Sequence, residues 1–289
     1  MAAVTVSTRA SAATRAPRRL PSLSKALIAI AAYAVAVIFL LPYVEMIVTA
    51  LRPQSELLER NYLPRHFAWS NFSTLWSTGL GRNIETSLEI AGGATILVLL
   101  VAIPAAYYSA KRKFRGRTIF LLLVLVTQMF QPTALVVGIY RQFNDLNMIN
   151  SIWSLILVNA GFNLAFAIWI LNAYFASIPK ELEEAAMVDG TNRFGAMLRV
   201  VLPMAWPGVV TALIFTFIAA WNEFIVALTL TTNNATAPLT VALNSYIGEY
   251  QVDWQHLLGG SVVATIPVII LFAFIEGKVV GGLTAGSVK

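Results

Sequence analysis

The sequence predicts an all-α polytopic membrane protein with six transmembrane helices, and three observations carry that prediction. Of 289 residues, 58% are hydrophobic and only 12% are charged, against about 25% charge in an average soluble domain. Mean hydropathy is +0.72, and so few ionic groups could not cover a soluble surface of this size. Six stretches are long and apolar enough to cross a hydrocarbon core of about 30 Å, which takes about 20 residues of helix. The apolar fraction also excludes an intrinsically disordered chain. The absence of cysteine excludes disulfide frameworks, thiolate metal sites and thiol nucleophiles.

The predicted spans are 26–50, 83–110, 118–140, 151–174, 207–230 and 257–280. Each reads as a helix because a lone strand leaves its backbone groups unpaired in lipid. Barrel strands would instead be short and alternating. Pro104, Pro132 and Pro267 fall inside spans and predict kinks, while the small residues of 91–94 and 259–261 predict close helix approach. Residues 1–25 form a basic tail, read as disordered, and 26–289 form one transmembrane domain. The tail lacks acids and is rich in Ala, Ser, Thr and Arg, a composition it shares with mitochondrial transit peptides. The longest connections, 51–82, 175–206 and 231–256, are too short for independent domains.

Orientation follows from the basic residues. Arg9, Arg15, Arg18, Arg19 and Lys25 lie in the tail, and Lys111, Arg112, Lys113, Arg115 and Arg117 crowd the second connection. Lys180, Arg193 and Arg199 lie in the fourth connection, and Lys278 and Lys289 at the C-terminal end. Fifteen of the twenty Lys and Arg thus fall on one side, which predicts both termini in the cytoplasm. The same asymmetry accounts for the pI near 9.7. Nucleic-acid binding is a poor rival, because the charges are split among loops without an aromatic-interleaved patch.

Catalytic and metal patterns are missing. His66 and His256 are far apart, and neither a paired-histidine zinc motif nor a nucleophile elbow occurs. Gly281, Gly286 and Ser287 come near a phosphate-binding loop, but the lysine after the second glycine is absent and no strand precedes it. ATP hydrolysis by that route is excluded.

The most informative stretch runs from Ile178 to Pro203. Pro179 suits a first helical turn, and Glu181, Glu183 and Glu184 suit its positive end. Gly190 stands where a left-handed cap is needed. Thr191 or Asn192 then caps a second short helix presenting Phe194, Met197, Leu198 and Val201 on one side. Pro203 ends that helix and Pro207 starts the fifth span. By spacing alone, the stretch could equally be an amphipathic hairpin lying on the membrane surface.

Glu184-Ala185-Ala186, then Gly190, then Val200-Val201-Leu202-Pro203 resembles the EAA motif of ABC importer permeases, with Val200 in place of the usual isoleucine. Ala105-Ala106-Tyr107, Phe114-Arg115-Gly116-Arg117, Trp221-Asn222-Glu223-Phe224 and Gly282-Leu283-Thr284-Ala285-Gly286 are similar to the maltose-permease-like, carbohydrate-uptake branch. The resemblance covers about residues 26 to 289 and implies the type I ABC importer permease fold. It also implies a non-enzymatic bacterial inner-membrane subunit that binds no cofactor. ATP and Mg would sit on a separate nucleotide-binding ATPase dimer. Further implied partners are a second, non-identical permease subunit, an extracytoplasmic substrate-binding protein and the lipid bilayer, with no nucleic acid. The cargo expected is a mono- or disaccharide; glycerol phosphate, amino sugars and polyols use similar permeases. On this resemblance Glu184, Ala185, Ala186, Asp189, Gly190, Leu202 and Pro203 couple the membrane helices to the ATPase.

Polar side chains at lipid depth are costly and tend to face a cavity or a partner. Gln128 and Gln131 in the third span, Asn159 and Asn163 in the fourth, and Asn222 and Glu223 in the fifth are the candidate translocation path. Interhelical hydrogen bonding is the competing reading. Trp69, Trp76 and Tyr250, with Asn233 and Asn234, are candidate docking residues for the binding protein; an aromatic belt at the interface gives the same composition. An ion-coupled secondary transporter would be expected to show internal repeats, and a membrane-embedded hydrolase would need catalytic pairs. Neither feature is visible.

Overall fold

The computed structural model describes residues 22–56, 63–233 and 235–285. The basic tail up to residue 21, Tyr62, Asn234 and residues 286–289 lie outside them. The chain divides into two compact units, residues 1–45 and 46–289. In the first, the described residues belong to α1 (Ser22–Ala50), an apolar helix that continues through Pro42.

Among its described residues the regular structure of the second unit is all helical, apart from an isolated bridge between Ile247 and Val252. After a single 3-10 turn, α2 (Ser70–Ser77) leads into α3 (Leu80–Lys111) through Gly79 at φ +91°. α4 (Arg117–Thr127) and α5 (Pro132–Asp145) follow, then α6 (Ile152–Ser177). A hairpin comes next: α7 (Lys180–Val188), α8 (Arg193–Ala196), a π turn over Met197–Val201 and α9 (Leu202–Met204). α10 (Trp206–Trp221), α11 (Ile225–Leu230), α12 (Leu239–Asn244) and α13 (Trp254–Ala285) complete the unit. Among the described residues, four helices are long and apolar enough to span a membrane, or six spans if each of two bent pairs counts as one.

The structure corrects two of the predicted spans. The stretch 118–140 is not one helix: α4 and α5 meet at 93° across a short break. Pro132 cannot donate a backbone N–H and pushes the residue before it out of the helical region, and Gln131 is extended at ψ 133°. Pro104 and Pro267, by contrast, sit inside continuous helices. The stretch 207–230 also breaks, after Trp221, because the Glu223 carboxylate takes backbone N–H groups of the following segment. Polar side chains compete with the helical ladder in this way. The 16 residues of α10 rise about 24 Å, short of the hydrocarbon core.

The core is built on α3, α6 and α10. Lipid removes most of the hydrophobic drive between helices, so close backbone approach and dispersion must hold them. Small residues allow that approach: Ala91, Ala94, Ala102 and Ala106 on α3 and Ala212 on α10 are fully buried. A Cβ on Gly93 would stand 2.8 Å from Ile156 Cδ1, and one on Gly260 would stand 2.5 Å from Leu243 Cδ2. Leu171, Phe175 and Val201 fill the core at the hairpin end.

Candidate functional site

The hairpin is capped at both turns as its sequence demands. Gly190 has φ +90°, and Thr191 N donates to Ala186 O while Gly190 N donates to Met187 O, the two bonds of a Schellman turn. Asn192 then accepts from Gly195 N at 2.7 Å and caps α8. Glu184, Ala185, Asp189 and Gly190 lie on the exposed surface, with Val188 beside them at 87% exposure, while Ala186 turns inward. Leu202 packs against the core and Pro203 is exposed in α9.

Two details differ from expectation. Phe194, Met197, Leu198 and Val201 do not share one face: Met197 and Val201 are buried, whereas Phe194 and Leu198 are exposed. Nor does Pro203 end the second arm; it lies within α9, which runs on from the π turn to Met204.

What reasoning from sequence missed is the inner side of the hairpin. Glu183 is only 4% exposed, whereas its apolar neighbour Leu182 is 40% exposed. The Glu183 carboxylate accepts the Tyr107 hydroxyl at 2.6 Å and pairs with Arg112 at 3.3 Å. Lys111 Nζ donates to Ile178 O, and Asn172 Nδ2 of α6 donates to Ser109 Oγ at 2.7 Å. The Lys111 end of α3 is therefore fastened to the hairpin through Tyr107 and Arg112, and to α6 and the residue that follows it through Ser109 and Lys111, in an apolar surrounding. The adjacency of a Tyr-bearing, Lys/Arg-rich segment to one helix and of an acidic run to another was the available signal. Pairing them required the fold.

The six candidate path residues do not form one cluster. Asn159 and Glu223 line the same small cavity, together with Ser87, Trp221 and Pro238. Asn159 Nδ2 donates to Leu155 O, and Asn163 Nδ2 donates to Asn159 O, both within α6. Glu223 accepts from Val226 N at 2.8 Å and Ala227 N at 2.9 Å, and its carbonyl accepts Thr240 Oγ1. Gln128 lies apart, donating to Phe162 O at 3.0 Å, and so ties the broken third span to α6. Gln131 and Asn222 are exposed.

At the Leu80 end of α3, Asn83 Nδ2 donates to Ala237 O and Ser87 Oγ accepts from Leu239 N at 2.8 Å. Asn150, at φ 62°, accepts from Thr232 N at 2.7 Å and Asn233 N at 3.2 Å. These bonds hold the segment that carries Asn233, whose own side chain closes a turn with Thr236. Trp69, Trp76 and Tyr250 are exposed by 69%, 56% and 90%. Among the described residues no three His, Asp or Glu gather as a metal site.

Residues 99–277 match the family described as "Binding-protein-dependent transport system inner membrane component". The chain is 34% identical over 253 residues to the sulfoquinovosyl glycerol transport system permease protein SmoH of Agrobacterium fabrum, covering 86% of this chain and 89% of that protein. It is 32% identical over 251 residues to the diacetylchitobiose uptake system permease protein DasC of Streptomyces coelicolor, covering 86% and 91%. The fold is similar to a chain in the crystal structure of a bacterial ABC transporter that imports the acidic polysaccharide alginate. There the TM-score is 0.74 at 23% identity, with 90% and 99% of the two chains covered.

Proposed function

Because the chain belongs to the family of binding-protein-dependent transport system inner membrane components, we propose that it is a permease subunit of a carbohydrate-importing ABC transporter. The relatives it matches are named for uptake of sulfoquinovosyl glycerol and diacetylchitobiose, which supports a sugar or glycoside as cargo. Six spans with both termini in the cytoplasm place the hairpin on the cytoplasmic side, consistent with fifteen of twenty basic residues on that side. A second, non-identical permease subunit completes the path, and an extracytoplasmic binding protein delivers cargo to the far side. ATP and Mg act on a separate ATPase dimer. The location is the bacterial inner membrane.

The observation that carries this reading is the hairpin itself. A short helix closed by a left-handed glycine and followed by a capped second arm is stiff. Its exposed face carries Glu184, Ala185, Asp189 and Gly190, while its other face is anchored in the core. A rigid element of this kind passes a rigid-body displacement from a partner to the helices behind it. Closure of the ATPase dimer pushes the hairpin, and α3, α6 and α10 rock about the cavity between Asn159 and Glu223. Amide and carboxylate groups there suit a hydroxyl-rich cargo once that rocking parts the helices and widens the small cavity.

Purification in mild detergent tests the reading. A nucleotide-binding subunit is expected to co-purify with the chain, and ATP-dependent sugar uptake is expected from the reconstituted complex. Uptake driven by an ion gradient without any ATPase partner would overturn it.

A further inference from the structure

We propose that Glu183 is a positioning residue of the transport cycle: its bonds to Tyr107 and Arg112 carry the movement of the hairpin into α3 and along it to the opposite end of the molecule. The inference rests on the permease reading above and adds to it a specific mechanical link.

A buried carboxylate is costly unless it is paired and hydrogen-bonded. In the first turn of α7 a leucine would have been cheaper at the buried position, and Leu182 stands next to it, 40% exposed. Glu183 is instead held inward by one phenol at 2.6 Å and one guanidinium at 3.3 Å. Both belong to the end of α3 and the residue that follows it. Tyr107 is itself fixed by edge-to-face packing on Phe175 of α6, with ring centroids 6.0 Å apart. On α7, residues 183 and 186 face in while 184, 185 and 188 face out, so the exposed face and the buried pair lie on opposite sides of one short helix. A push on the former arrives at the latter.

From there the line is continuous. α3 runs unbroken for 32 residues, about 48 Å at helical rise. Near its other end Asn83 and Ser87 bond Ala237 O and Leu239 N. The hairpin and the 235–239 segment thus sit at the two ends of one rod. Directional, charge-assisted bonds fix the rod's register better than sliding apolar contacts would.

The absence of cysteine in the chain makes single-cysteine reporters direct. In the importer purified with its own partner subunits, an environment-sensitive fluorophore is placed either on Val188→Cys or on Ala235→Cys. The probe added is Mg·ATP, followed by vanadate. Both reporters are expected to respond in the otherwise native chain. In Tyr107→Phe, which keeps the ring on Phe175 but loses the hydroxyl, and in Glu183→Gln, the Val188 reporter still responds. The Ala235 response falls about tenfold, the ratio expected from losing a hydrogen bond to a charged group. An undiminished Ala235 response in either variant overturns the inference. Absence of any Val188 response in the native chain would instead overturn the permease reading. Should Glu183→Gln not assemble, Tyr107→Phe decides alone.

Discussion

Gly208 of α10 lies against Tyr174 of α6 so closely that a Cβ on the glycine would stand 2.4 Å from the ring's Cγ. No rotamer of the ring relieves this, because the tyrosine Cβ is itself 2.8 Å away. The two helices are locked at a separation that only glycine allows. Gly208→Ala is therefore expected to cost about 1–3 kcal/mol through overpacking and to lower the thermal midpoint of the detergent-solubilised protein. Gly161→Ala, on α6 with open space around it, is the paired control. It is expected to leave the midpoint unchanged or raise it slightly.

The left-handed turn at Gly190 separates two kinds of damage. At φ +90° an alanine meets no neighbour but takes on backbone strain of about 1–2 kcal/mol, so Gly190→Ala retains partial uptake. Gly190→Pro cannot adopt that φ and loses the N–H that bonds Met187 O. It is expected to insert normally yet to uncouple ATP hydrolysis from transport. Uptake normalised to the amount in the membrane, measured beside phosphate release, checks both; native uptake by Gly190→Pro would refute the role given to the turn.

Glu223 binds Val226 N and Ala227 N through separate oxygens. If its work is to cap α11 and hold the break in the fifth span, Glu223→Gln retains one acceptor and most of the uptake. Glu223→Ala loses both bonds, at about 0.5–2 kcal/mol for a lost cap. If the charge instead contacts cargo, glutamine and alanine are equally damaging. Steady-state uptake by the two variants distinguishes these outcomes, and the cap predicts the order Gln above Ala.

Trp69 and Trp76 are large, exposed aromatic side chains on and next to α2. Aromatic anchors dominate protein interfaces, so Trp76→Ala is expected to weaken capture of the cognate binding protein about tenfold. The ATPase subunit should remain bound. A pull-down quantified for both partners reads this, and equal retention of the binding protein would place the tryptophans in the interfacial belt instead.

Much of the fold was legible in the sequence because its signals are local. Apolar length located the long helices α1, α3, α6 and α13 to within a few residues. The chemistry of Gly190 and Asn192 wrote the two turns of the hairpin, and Pro132 marked the break in the third span. The side-chain partners were not legible. Gln128 ends on Phe162 O, Asn159 on its own helix and Glu223 on its own backbone, so polar groups that looked alike by depth have different partners. In a uniformly apolar helix such as α6 no periodicity indicates which side faces a neighbour, and a list of polar residues carries no directions.

The sequence by itself determined the class of molecule, the places where the chain must be helical and the hairpin with its capped turns. Each of these depends on transfer free energy or backbone geometry within a few residues. Only the tertiary structure decided that Glu183 points inward while Leu182 points out, and that Tyr107, 76 positions earlier, receives it. It alone decided that Asn83 and Ser87 hold a segment some 150 residues away at the other end of α3. Such pairings arise from which helices pack and at what rotation. That choice is made by small residues such as Gly93 and Gly208, and its outcome appears only when the helices are together.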